Sequence, residues 1–298
     1  MRVGLEQLSH TRLGISLALG VGRLMPPAIG LRIASGVAGR MARDPEAEAV
    51  RAFRDNQWVV SGRTLSAEEL DDVVREVFAM SGRFFYDLYH ALGSSRSIMR
   101  HIHVDDAFTS FVERAERETF VYAGLHTGNF DLMGLALASA GWNDVQVISV
   151  PDPTGGNRLQ NALRSSGGFE VTPASLHSIK RATQNLAAGR SVLTGIDRPL
   201  AESRERVTFF GEAATLPVVH VRLAMRASVP VVVLCSVLHD DGKYHLHVSE
   251  PIEMEAGKGH EVVRRNAERC LASAEEFVRL APTQWVMPHR VWPDVTAP

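Results

Sequence analysis

From residue 119 to residue 250, short apolar runs alternate with longer amphipathic ones, and this alternation constrains the fold more than any other feature. The runs 119–125, 145–150 (VQVISV), 169–172 (FEVT), 191–196 (SVLTGI) and 229–238 (VPVVVLCSVL) read as strands. Between them, 156–166, 175–188 and 217–228 carry helical periodicity. Strands separated by helices pair in parallel, with the helices covering both faces of the sheet. The segment 243–250 (KYHLHVSE) alternates cleanly after Asp240-Asp241-Gly242, which predicts a closing antiparallel hairpin. A helix over about 259–280 follows. Upstream, 66–92 opens with a Ser-x-x-Glu capping box and predicts a long amphipathic helix, with a shorter one at 106–117. The expected fold class is α/β, a largely parallel central sheet flanked by helices. No repeat, low-complexity block or linker divides the 298 residues, so one domain over 1–298 is expected.

Composition narrows the partners. A formal charge of −2 argues against nucleic acid, which selects a basic excess. The two cysteines, Cys235 and Cys270, sit in apolar or helical surroundings and predict neither a disulfide framework nor a reactive thiolate. At the N-terminus, 13–22 (LGISLALGVG) is too short to span a bilayer, and no small-residue cleavage site follows it. Between Gln7 and Arg43, however, lie Arg12, Arg23, Arg32, Arg40 and Arg43 and no acidic residue. Leu31, Ala34, Val37 and Met41 recur there at helical spacing. Residues 1–43 therefore read as helices that cover the core, lie in a membrane interface facing anionic lipid, or do both. The expected localisation is peripheral, at the cytoplasmic face of the cell membrane.

The stretch VYAGLHTGNFDLMGLAL, residues 121–137, places polar and glycine positions between two apolar runs. His126 falls where a buried strand ends, at the sheet edge where α/β proteins bind ligands. A helix opening near Asn129 would direct free amides and a positive end at the same spot. An imidazole there is available as a general base, and Asp131 is close enough in sequence to orient it. The spacing alone is weak evidence, because His-x4-Asp also occurs at His101/Asp106 and His289/Asp294. Only His126 stands between a buried strand and an apolar helix. A turn histidine that merely caps the helix is the competing structural reading.

The second informative stretch is 195–217 (GIDRPLAESRERVTFFGEAATLP). Asp197 and Arg198 follow a strand end, and a charged loop then closes on Phe209-Phe210-Gly211. These residues can instead be a local ion pair and core aromatics. A metal site is not expected: His101-x-His103 and His245-x-His247 lack further convergent ligands in sequence, and the latter pair reads as a half-exposed edge strand. Neither a GxSxG elbow nor a phosphate-binding loop is present.

Taken together, these residues resemble the lipid A biosynthesis acyltransferase family in its wide sense, over about residues 10–293. The block His126-Thr127-Gly128-Asn129-Phe130-Asp131 carries the resemblance, with "LQNALRSSGGFEVTP", Asp197-Arg198, Phe209-Phe210-Gly211 and the tail "APTQWVMPHRVWP". It implies catalytic roles for His126, Asp131 and Asp197. It also implies substrate contacts from Asn129, Arg164, Arg198, Phe210 and Gly211. The implied reaction moves a fatty acyl group from acyl-CoA or acyl-carrier protein, a donor substrate rather than a cofactor, to a hydroxyl of a membrane glycolipid or phospholipid. Two positions depart from the family pattern. Val219 stands where a glycine is usual, and position 197 is aspartate where some relatives have glutamate. A hydrolase of the same architecture, or a non-catalytic membrane-surface protein, are the alternative classes.

Overall fold

A computed structural model describes residues 26–298 except Glu202. Arg12, Arg23 and the apolar stretch 13–22 lie outside the described residues. The elements, in chain order, are α1 (Pro27–Met41), α2 (Glu48–Val60), α3 (Ala67–Ala91), α4 (Ser95–Met99), α5 (Asp106–Arg117) and β1 (Val121–Gly124). They continue with α6 (Phe130–Ser139), β2 (Val145–Ser149), α7 (Gly155–Ser166), β3 (Glu170–Pro173), α8 (Leu176–Ala187) and β4 (Ser191–Gly195). The last are β5 (Arg206–Phe209), β6 (Glu212–Thr215), α9 (Val219–Ala227), β7 (Val231–Leu238), β8 (Tyr244–Val248) and α10 (His260–Leu280).

Six strands form the central sheet in the order β3-β2-β4-β1-β7-β8. All pairs are parallel except β7 with β8, the hairpin that the sequence predicts. Parallel strands are covered on both faces, and β7 accordingly buries all eight of its residues. Alternation along one strand separates the two cores. Val121, Ala123 and Leu125 pack with α8, α9 and α10, whereas Phe120 and Tyr122 pack with α3, α5 and α6.

The long helix α3 begins as its sequence requires: Ser66 accepts from the Glu69 amide and Glu69 reaches back to the Ser66 amide. A smaller cluster of Ala38, Val50, Phe53, Val74, Val77 and Phe78 joins α1, α2 and α3. On α1 the residues turned outward are Ile29, Ile33 and Val37, while Ala34 and Met41 are half-buried, so the exposed apolar stripe is rotated from the one expected. Among the described residues no helix is long and apolar enough to cross a membrane.

The segment 203–216, expected as a charged loop, instead contains a two-stranded antiparallel sheet, β5 with β6. Val207, Phe209 and Ala214 point inward and are buried. Four-residue strands with arginine, threonine and glutamate on the outer face carry too little apolar alternation to be legible.

Candidate active site

Sheet register assembles the site. β1 and β4 are neighbours with Gly124 opposite Gly195, so His126 and Asp197, each two residues further on, leave the sheet side by side. β1 continues through α6 towards β2 on one side of the sheet, and β4 continues towards β7 on the other. A crevice opens at such a reversal of strand order.

The imidazole Nδ1 of His126 lies 2.7 Å from Asp197 Oδ1, and the His126 amide donates to Oδ2 at 2.8 Å. The indole N–H of Trp285 donates to the same Oδ2 at 2.9 Å. Asp197 is fully buried. Burial opposes its charge, but the neighbouring imidazole, its hydrogen bonds and the indole outweigh that and hold the carboxyl below its ordinary value. A carboxylate can only accept, so Nδ1 of His126 carries the proton and Nε2 is left as the basic nitrogen. Gly195 makes room for the ring: a Cβ there would stand 3.2 Å from His126 Cε1.

Asp131, expected to orient His126, does something else. It pairs with Arg164, whose Nε donates to its Oδ1 at 2.7 Å. The carboxylate leaves with the first turn of α6, whereas Asp197 reaches Nδ1 from the adjacent strand. Arg164 also lies over the Phe130 ring at 5.7 Å, and that ring meets the His126 ring edge-on at 5.2 Å. Tyr89 is held neutral by burial and by the Asp131 charge. Asn129 spends its amide on structure: Oδ1 caps α6 at the Leu132 amide and Nδ2 donates to the Phe84 carbonyl at 2.8 Å.

The turn itself requires Gly128. Its φ is +59°, and a Cβ there would collide with the Ser236 carbonyl. Its amide donates to the Gln284 carbonyl at 2.9 Å, and Val286 donates to the His126 carbonyl at 3.1 Å. Gln284 also clamps the end of β7 through both amide atoms to Leu238, at 2.7 and 2.8 Å. Tail residues thus build the turn that carries His126. The sequence signal for them is the tail's resemblance, which marks the segment but not the roles of Trp285 and Gln284.

His126, Asn129, Phe130 and Asp131 face a cavity of about 2080 Å³. Arg164, Arg198, Arg204 and Arg222 line it, as does His289. Arg198 makes no hydrogen bond or ion pair among the described residues, and burial lowers its pKa despite the adjacent Asp197. Burial, Arg198 and His126 likewise keep His289 neutral below its ordinary value. Met133, Leu137, Trp142, Val147 and Phe169 add an apolar part to the lining. At the outer wall stand Ile33, Val37, Phe85 and Leu176, exposed by 49, 44, 50 and 92 %.

Phe210 and Gly211 do not reach this space. They form the β5–β6 turn, where the Phe210 amide donates to Glu275 at 2.5 Å and Arg279 covers its ring at 4.7 Å. The Phe210 ring packs against Trp292 and Arg279 of α10, and Gly211 takes the left-handed turn position at φ +75°. Val219 lines the cavity as the first residue of α9. Burial raises the pKa of both thiols, Cys270 to about 12, so neither is a thiolate nucleophile.

The sequence model of the bacterial lipid A biosynthesis acyltransferases matches residues 5–293. The chain belongs to that family. It is also 23% identical over 292 residues to a phosphatidylinositol mannoside acyltransferase of Mycolicibacterium smegmatis (strain ATCC 700084 / mc(2)155), covering 95% of this chain and 91% of that one. As a member of the family, the protein is an acyltransferase of lipid biosynthesis.

Proposed function

We propose that the protein transfers a fatty acyl group from a thioester, acyl-CoA or acyl-carrier protein, to a hydroxyl of a membrane glycolipid or phospholipid. The observation that carries this reading is the His126–Asp197 pair, with a proton-bearing Nδ1 on a buried carboxylate and Nε2 left for the cavity. An alcohol is a weak nucleophile near neutral pH and gains from losing its proton during attack. Nε2 takes that proton as the acceptor oxygen adds to the thioester carbonyl. The resulting oxyanion is met by first-turn amides of α6 and by arginine N–H groups at the cavity wall. Collapse breaks the carbon–sulfur bond, and the imidazolium returns its proton to the leaving thiolate. The products are an ester and a free thiol, with no covalent acyl-enzyme.

Asp197 stays ionised throughout, fixes the tautomer and stabilises the imidazolium. Asp131 acts through Arg164, holding the guanidinium at the cavity wall. The arginines suit phosphate or pyrophosphate groups of donor or acceptor. The apolar lining suits an acyl chain, since each buried methylene is worth ~0.8 kcal/mol. The exposed apolar wall, with Arg32, Arg40 and Arg43 on the same region of chain, suits peripheral attachment to an anionic membrane surface.

The test is acyl transfer by the purified protein from palmitoyl-CoA, and separately from palmitoyl-acyl-carrier protein, to a glycolipid acceptor in vesicles. Acceptor-dependent ester formation that disappears in His126→Ala is expected. Release of free fatty acid at an equal rate without acceptor would replace the transferase reading with a hydrolase.

A further inference from the structure

The chain has twelve histidines, and four of them gather outside the cavity lining. The fold brings them together by a pairing that sequence spacing does not disclose. Ile102 forms a parallel bridge with Tyr244: the His103 amide donates to the Tyr244 carbonyl at 3.0 Å and the Tyr244 amide to the His101 carbonyl at 2.8 Å. His103 and His245 therefore stand next to each other, their rings stacked at 4.0 Å and 9°. His239, just past β7, lies 3.9 Å from the His245 ring on the other side. Its Nε2 is 3.2 Å from Nε2 of His247.

Two carboxylates complete the group. Asp105 caps α5 through Oδ1 at the Phe108 amide. Asp241 uses Oδ1 for the Lys243 amide and presents Oδ2 at 3.0 Å from His245 Nε2 and 3.4 Å from His103 Nδ1. One ligand atom each of His103, Asp105 and His245 lie within 4.8 Å of one another. Metal–ligand bonds of ~2.0–2.1 Å at tetrahedral angles place ligand atoms about 3.3 Å apart. The three have to close in by a little over an ångström to reach it, and Asp241, paired to both imidazoles, holds them in place.

We propose that His103, Asp105 and His245 form a site for one divalent transition-metal ion of the zinc class, with Asp241, His239 and His247 beside it. Imidazole with carboxylate selects zinc, cobalt or nickel over magnesium and calcium. None of the three lines the catalytic cavity, so the ion acts as a clamp. It ties the segment before α5 to the β7–β8 hairpin and covers the outer edge of the sheet, where an unpaired strand is a liability.

The experiment uses tag-free, chelator-treated full-length protein. Titration with zinc by calorimetry, and with cobalt(II) by visible absorption, should each show one equivalent, with the intense d–d bands of four-coordinate cobalt. Loss of a ligand exceeds the ten- to hundredfold cost of disturbing its support, so His103→Ala and His245→Ala should each lower affinity by about a hundredfold or more. Zinc should raise the unfolding midpoint of the parent protein and leave that of His245→Ala unchanged. His126→Ala and His260→Ala should bind as the parent does. Undiminished affinity in both His103→Ala and His245→Ala would overturn the proposal. So would affinity that is lost only with His239→Ala and His247→Ala, or no saturable zinc binding in the parent protein.

Discussion

On the sheet side of the cavity, His126 and Trp285 converge on wholly buried Asp197 through hydrogen bonds of 2.7–2.9 Å, and Gln284 ties Leu238 to the Gly128 amide at 2.7–2.9 Å. On the side made by α1 and α3, Ile33, Val37 and Phe85 present bare hydrocarbon to solvent. The first wall fixes one nitrogen in one tautomer, because proton transfer tolerates little misplacement. The second offers area without direction, which is what an acyl chain or a lipid surface needs. Chemistry and substrate contact are thus served by opposite kinds of packing across one space.

The sharpest way to break this comparison is at the carboxylate behind His126. His126→Ala should abolish transfer, and Asp197→Asn should lower kcat on the order of 10⁴-fold by favouring the wrong tautomer. The same substitution has a stability signature. The Asp197 pKa is depressed in the folded protein, so its contribution is present above the unfolded value near ~3.9 and is lost as pH falls through the lower folded value. Urea unfolding should show Asp197→Asn destabilised at neutral pH, with the gap to the parent closing below about pH 4. An unchanged gap would remove Asp197 as the titrating group.

Asp131→Asn comes next. Because Asp131 holds Arg164, activity should fall roughly ten- to hundredfold, chiefly in KM, while the pH profile of kcat stays where it was. A shifted profile would restore Asp131 as the partner of the histidine.

The apolar wall should respond differently. Arg32, Arg40 and Arg43 replaced together by glutamine should weaken binding to anionic vesicles tenfold or more, at about 1 kcal/mol for each arginine, and less so in high salt. Activity on a soluble short-chain acceptor should survive. Equal binding of the parent to neutral and anionic vesicles would remove the electrostatic part.

The smallest effect is expected at Val219. Its replacement by glycine opens space at the cavity wall, and a gain of ~0.8 kcal/mol per accommodated methylene amounts to about a fourfold shift in chain-length preference. A competition assay with mixed acyl-CoA donors reads it directly.

Most elements are readable from the chain because their cause is local. The Ser66–Glu69 box starts α3, valine-rich runs make buried strands, and Asp240-Asp241-Gly242 turns β7 into β8. His126 is legible for the same reason, since it ends a strand and precedes a helix. Its partner is not, because the pairing of His126 with Asp197 is a fact of strand order. Only once β1 and β4 are known to be neighbours do positions two beyond Gly124 and Gly195 become adjacent. The nearer Asp131 is the natural reading of spacing, and its true partner, Arg164, is set by how α6 meets α7. The same reason hides the approach of His103 to His245. Phe210 and Gly211 read as part of a loop, whereas they form the turn of a short hairpin outside the cavity lining.

The late position of Trp285 in the chain carries a consequence for biosynthesis. All six strands of the sheet are complete by Val248, yet the indole on Asp197, and the Gln284 and Val286 bonds that shape the turn at His126, come from residues translated afterwards. That tail is then moored by Asn56, which donates to the carbonyls of Met287 and His289 at 3.0 and 2.8 Å and accepts from the Val291 amide. These late residues are also core, for Trp285 and Trp292 are buried in the cluster under α9 and α10, so one short segment completes the hydrophobic core and the His126 turn at the same moment. A version halted after Leu280 should therefore lose stability and transfer together, unfolding at a lower urea midpoint than the parent, and an unchanged midpoint would separate the tail from the core.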